Sequence, residues 1–240
     1  MTPTLDTATS APAPLRGLPG DRVTLDDGLV VEVFARAKLP TEFGDFEMVA
    51  FLNNLDGKEH VAVVKGDLVG AGAVQTRVHS ECLTGDVFAS RKCDCGPQLD
   101  AALMAIADLP AGLILYMRQE GRGIGLANKI KAYSLQDQGF DTVEANLHLG
   151  FDDDLRDYRV AAGMIHLLGV DSIRLFTNNP RKSQGLRDGG VVVEQRMPLL
   201  IEPNPHNQAY LLTKMRKSGH MLRPGDIASP MTGHGGRRPL

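Results

Sequence analysis

The chain has 240 residues, 42% of them hydrophobic, 23% charged and none tryptophan, with a formal net charge of −3. That length buries a sizeable core, and that charge argues against nucleic acid held over the whole surface. No apolar run nears the ~20 residues of a membrane helix, and the N-terminus lacks the apolar stretch of a secretory signal.

Residues 1–25, rich in Ala, Pro and Thr, read as a disordered leader ahead of a folded domain over 26–222, with a flexible tail over 223–240. The domain opens β-rich: GLVVEVFARAKLPT, FEMVAFLNN and HVAVVKGDL predict strands of an antiparallel meander or barrel. From Gly96 the pattern changes. QLDAALMAIADLP places Leu99, Leu103 and Ile106 on one helical face before Pro110, and LILYM follows as a buried strand. LANKIKAYSLQDQG predicts a helix with Gly139 at C′, and DYRVAAGMIHLLG predicts another stopped by Gly169. SIRLFTNN and VVVEQR read as strands around a short helix in SQGLRDGG, and this β-α-β order predicts parallel pairing. The expected fold is α/β (α+β): a β-rich N-terminal part with a mixed sheet flanked by helices in one compact domain.

All three cysteines stand in HSECLTGDVFASRKCDCG, at 82, 93 and 95. Clustered and odd in number, they predict no disulfide framework and place the chain in a reducing cytoplasm. Three thiolates suit Zn²⁺ with water in the fourth position, which is the pattern of a catalytic site. His79 is the alternative fourth ligand, and it would make the site structural; small buried thiols with no metal are the plainer alternative. The zinc nucleobase deaminases share the H-x-E of His79–Glu81, but they need P-C-x-x-C, and this chain has C-x-C with no preceding proline.

Two stretches read as anion sites. RQEGRGIGLANK sets Gly121, Gly123 and Gly125, with Arg118 and Arg122, ahead of a helix. TNNPRKSQG starts a helix at Pro180 with Arg181 and Lys182 at its mouth, as a plain helix cap also would. DDDLRD surrounds Arg156 with acids. It fits a solvated face, a carboxylate that takes a proton, or an arginine held towards a phosphate.

Together RVHSECLTGDVFASRKCDCGPQL, RQEGRGIGLANKIKAYSLQDQGFDTVEAN, LGFDDDLRDY, LFTNNPRK and NPHNQAYLLTKMRKSGHML resemble the GTP cyclohydrolase II family of riboflavin biosynthesis, over roughly residues 33–222. The resemblance implies conversion of GTP to 2,5-diamino-6-ribosylamino-4(3H)-pyrimidinone 5′-phosphate, formate and pyrophosphate. It implies zinc on Cys82, Cys93 and Cys95, with water completing the site and attacking C8 of guanine. It implies GTP contacts at Arg77, Val78, His79, Ser80, Glu81, Gln98, Glu120, Gly121, Arg122, Thr142, Thr177 and Lys182. Tyr133 would serve ring opening, Asp154 would accept a proton, and Arg156 would be the nucleophile towards the α-phosphate. Because a guanidinium is almost always protonated, Arg156 has the alternative role of stabilising charge on the departing pyrophosphate. Mg²⁺ with the triphosphate and a homodimer are implied as well. The competing functions are a relative that opens the ring but keeps the formyl group, or one that serves a secondary metabolite pathway, and a zinc-stabilised binding module.

Overall fold

The computed structural model describes residues 17–227. Residues 1–16 and 228–240, which hold most of the expected leader and tail, lie outside the described residues. The meander is present as β1 (Arg22–Thr24), β2 (Val30–Thr41), β3 (Gly44–Asn53) and β4 (His60–Gly66), paired antiparallel in sequence order. Then follow β5 (Val74–Ser80), α1 (Leu83–Asp86), α2 (Cys95–Ala107), β6 (Ala111–Met117) and α3 (Leu126–Gln136). α4 (Thr142–His148), α5 (Arg159–Leu167), β7 (Ile173–Phe176), α6 (Pro180–Asp188), β8 (Val193–Met197) and α7 (Gln208–Arg216) complete the order.

All eight strands form one mixed sheet, in the order β1-β2-β3-β4-β6-β5-β7-β8. β6 inserts between β4 and β5, antiparallel to the first and parallel to the second; β5, β7 and β8 continue parallel. Strand β6 (AGLILYM) is apolar almost throughout because both its faces are covered. On one face α5 packs against β1 and β2, and Gly163 permits the approach: a Cβ there would stand 2.7 Å from Val31 Cγ2. On the other face α2 seats Ile106 against Ile114 and Phe46. Gly112 makes room, since its Cβ would lie 2.6 Å from Ile106 Cβ.

The chain leaves β5 for β6 on one side and later returns to β7 on the other. The carboxyl ends of β5, β6 and β7 therefore meet at a topological switch point, where open α/β sheets leave a crevice.

Ordered structure is present on both sides of residues 26–222. Arg22–Thr24 pair with Val30–Glu32 inside the expected leader, because Val23 packs against the core. In the expected tail Ile227 is buried, and its carbonyl accepts from Gln208 Nε2 at 3.2 Å. Helix α3 ends at Gln136 with C-cap Asp137, so Gly139 (φ +103°) turns the chain one position beyond C′. No helix among the described residues is long and apolar enough to cross a membrane.

Candidate active site

Cys82 follows β5 and caps α1, and Cys95 is the first residue of α2. The sequence between them folds back because Gly85 and Gly96 allow backbone contact. A Cβ on Gly96 would meet Gly85 O at 2.4 Å, and one on Gly85 would fill the space between Cys93 Sγ (2.9 Å) and Cys82 Sγ (3.1 Å). The three free thiols converge with all sulfurs within 4.8 Å of one another. Cys82 and Cys93 are 3.6 Å apart, against about 3.8 Å for two thiolates on a tetrahedral zinc with Zn–S of about 2.3 Å. The donor set, its spacing and the glycine-lined cradle fit a zinc ion.

The surroundings favour thiolate at Cys82 and oppose it at Cys93 and Cys95. Hydrogen bonds from the other two thiols, joined by the Lys129 ammonium at 3.1 Å, hold Cys82 far below the ordinary thiol range. Cys93, beside that charge, is pushed up to about 11. Lys129 also bonds Glu120 Oε1 at 2.7 Å. The other Glu120 oxygen accepts from Leu83 N at 2.7 Å, and Gly121 N donates to Oε1 at 2.9 Å. Asp86, almost fully buried, accepts from Cys82 N at 3.0 Å and Tyr116 Oη at 2.8 Å, and its two oxygens lie 3.1 Å from His79 Nε2. His79 is thus committed to Asp86 and stands outside the sulfur cluster.

Two chambers adjoin this cradle. The first, of about 80 Å³, brings together Arg77, His79 and Ser80 of β5, Gln98 of α2, Arg122 after β6, and Thr177 and Lys182 around the start of α6. The second, of about 100 Å³, is lined by Glu81, the thiols, Gly121, Ile124, Lys129, Tyr133 and Thr142. Ser80, Cys95, Arg122, Arg156 and Tyr210 line both, so the two are halves of one cleft.

Of the site residues implied by the family resemblance, only Val78, Glu120 and Asp154 line neither half. Val78 is core, and its carbonyl accepts from Lys182 Nζ at 2.7 Å. Glu120 anchors the thiol loop. Asp154 grips Arg156 from both oxygens, at 2.7 Å (Nε) and 2.6 Å (Nη2). Burial alone would raise the Asp154 carboxyl, but Arg156 holds it below the usual carboxylate range. Burial opposes the Arg156 charge too; nearby Tyr158 and the Asp154 pair override it, so the guanidinium is held more firmly protonated than usual.

The glycine-rich turn brings one of its two arginines to the cleft. Gly121 and Arg122 both adopt left-handed backbone (φ +62° and +61°), an uncommon conformation for arginine that aims its side chain into the cleft. Gly123 lets the loop after α4 pack closely, since its Cβ would lie 3.0 Å from Leu155 Cβ. It is thus the Arg122 guanidinium, with Asp153 and Ser218 as partners, that supplies the cation. Arg118 instead pairs with Glu81 at 3.3 Å and lines neither chamber. At α6, Asn179 both caps the helix, accepting from Arg181 N at 2.9 Å, and lines the first chamber. Sequence reasoning missed Lys129, Asp86, Tyr210, Lys214 and His220; each is an ordinary polar residue whose position follows only from the fold.

A thiol cradle that could hold a metal ion, beside a cation-lined cleft at the switch point of a mixed sheet, marks an α/β protein with the features of a metal site next to an anion site. Comparison with known proteins narrows that class. The family model described as GTP cyclohydrolase II matches residues 32–198. The chain is 57% identical over 188 residues to GTP cyclohydrolase-2 of Cronobacter sakazakii, covering 78% of this chain and 95% of that one. It is 58% identical over 185 residues to riboflavin biosynthesis protein RibBA of Bacillus subtilis, covering 77% of this chain and 46% of that one. The chain therefore spans about half the length of the RibBA relatives it matches. The chain belongs to the GTP cyclohydrolase II family.

Proposed function

We propose that the chain converts GTP to 2,5-diamino-6-ribosylamino-4(3H)-pyrimidinone 5′-phosphate, formate and pyrophosphate, the first committed step of riboflavin biosynthesis. The observation that carries this reading is the union of thiol cradle and cationic chamber in one cleft through Ser80, Cys95, Arg122, Arg156 and Tyr210. One half suits a base and the other a triphosphate. The relative from Cronobacter sakazakii that bears the enzyme's name matches along 95% of its length.

Cys82, Cys93 and Cys95 would hold zinc, which supplies Lewis acidity and lowers the pKa of water. Lys129 balances the thiolate charge at Cys82, and Glu120 fixes Lys129. The Tyr133 hydroxyl, 3.5 Å from Thr84 Oγ1, is kept protonated by burial and offers that proton to a purine nitrogen released from C8. Arg77, Arg122, Arg156 and Lys182 receive the phosphates. Arg156, so firmly protonated, stabilises charge on the α-phosphate and the departing pyrophosphate, and Asp154 holds it in place.

Mg²⁺ with the triphosphate, a homodimer and a cytoplasmic setting suited to three free thiols belong to the same reading. The catalytic unit comprises residues 26–222, extended by β1 and the turn carrying Ile227. The test is incubation of the zinc-loaded protein with GTP and Mg²⁺, with formate, pyrophosphate and pyrimidine quantified separately. Equal amounts of all three are expected; pyrophosphate without formate would sink the complete reaction.

A further inference from the structure

The phosphate contacts expected from the sequence end at Lys182, yet the first chamber has a wall made by later residues. Lys214 of α7 is buried and bonds Asp94 Oδ1 at 2.6 Å. Asp94 Oδ2 accepts from Gln98 Nε2 at 2.6 Å, and Gln98 Oε1 accepts from Arg77. One chain of buried contacts thus runs from α7 to the arginine of β5. Past the helix, His220 N donates to Lys214 O at 3.1 Å and Met221 N to Asn178 O at 2.8 Å, which latches the segment onto the loop after β7.

The charges and donors of this chamber call for a ligand. Five of its lining residues are cations, Lys214 among them, against the single acid Asp94. Arg77 and Lys182 bond only uncharged oxygens. Burial, with Arg77, Arg156 and Lys214 nearby, drives Lys182 well below the ordinary lysine range. Arg77 Nε, His79 Nδ1, Arg122 Nη2, Asn179 Nδ2 and His220 Nδ1 are all buried without a hydrogen-bond partner, and all belong to residues lining this chamber. A polyphosphate has both the charge and the acceptors to satisfy them. The Lys214 ammonium carries three donors, so its bond to Asp94 leaves capacity for a phosphate oxygen.

We propose that the C-terminal segment is a substrate-binding wall of this site, with Lys214 and His220 contacting the polyphosphate of the nucleotide. The assignment rests on the reading of GTP as substrate, so its test uses inorganic tripolyphosphate, which probes the chamber without the base. Titration calorimetry on the full chain compares the unaltered protein with Lys214→Met, His220→Ala and Arg216→Ala; Arg216 is an exposed cation on the same helix. Lys214→Met is expected to weaken tripolyphosphate binding about tenfold or more and His220→Ala about threefold or more, with Arg216→Ala unchanged. The KM for GTP should rise in parallel. Affinities of Lys214→Met and His220→Ala within about twofold of the unaltered protein would overturn the proposal. Should Lys214→Met fail to fold with Asp94 left unpaired, His220→Ala decides alone. Lys214-dependent tripolyphosphate binding in a protein that leaves GTP intact would reject GTP as substrate and retain the phosphate wall.

Discussion

At the scale of single residues, the three cysteines announce themselves by type and spacing, but what shapes their cradle is a glycine. Gly85 sits where any Cβ would press on two sulfurs. Gly85→Ala is therefore expected to lower zinc affinity about tenfold or more, read as zinc per chain after dialysis against a competing chelator. Full retention of zinc would contradict the cradle. The same scale shows what the sequence withholds. Glu120 stands in a run that resembles a substrate-binding motif, yet both its oxygens are used by Leu83 N, Gly121 N and Lys129. Nothing in the one-dimensional pattern separates a residue that touches a ligand from one that holds the loop touching it.

Among elements, legibility follows hydropathy. The meander, β6, α2, α5 and the β7–α6–β8 unit carry apolar periodicity, and the structure has all of them. Strand β5 escapes, because VQTRVHS is half polar and nearly all buried: Arg77 and His79 spend their burial on the site. Helix α4 did have a signal, a capping box in which Asp141 Oδ1 accepts from Glu144 N at 3.0 Å and Glu144 Oε2 accepts from Asp141 N at 3.0 Å. The insertion of β6 between β4 and β5 has no local signal at all, since pairing order is a property of the whole chain. Close element packing gives a direct test. Gly163→Ala would drive α5 away from Val31 and is expected to cost about 1–3 kcal/mol of stability, seen as a lower urea midpoint. An unchanged or higher midpoint would contradict the contact that seats α5.

For the whole molecule, buried charge sets the response to pH. Burial holds His60 and His79 below the ordinary histidine range, as it does His220, at about 3. The unfolded chain therefore takes up protons first, and stability present above about pH 6.5 is lost as pH falls. Burial opposes charge on Asp94, Asp141 and Asp154, but Lys214, Lys217 and Arg156 keep these carboxyls below the usual range. Their contribution persists above about pH 4 and is lost below it. Urea midpoints should decline from pH 7 to 5 and fall more steeply under pH 4; a flat profile from 7 to 5 would show the histidines to be charged in the fold.

The proposed function divides labour within one cleft, with ring opening at the thiols and phosphate chemistry at Arg156. Cys93 lines only the second chamber. Formate and pyrophosphate released from GTP by the Cys93→Ser protein measure the two halves separately. Formate should vanish while pyrophosphate release persists; formate at the unaltered rate would contradict the account.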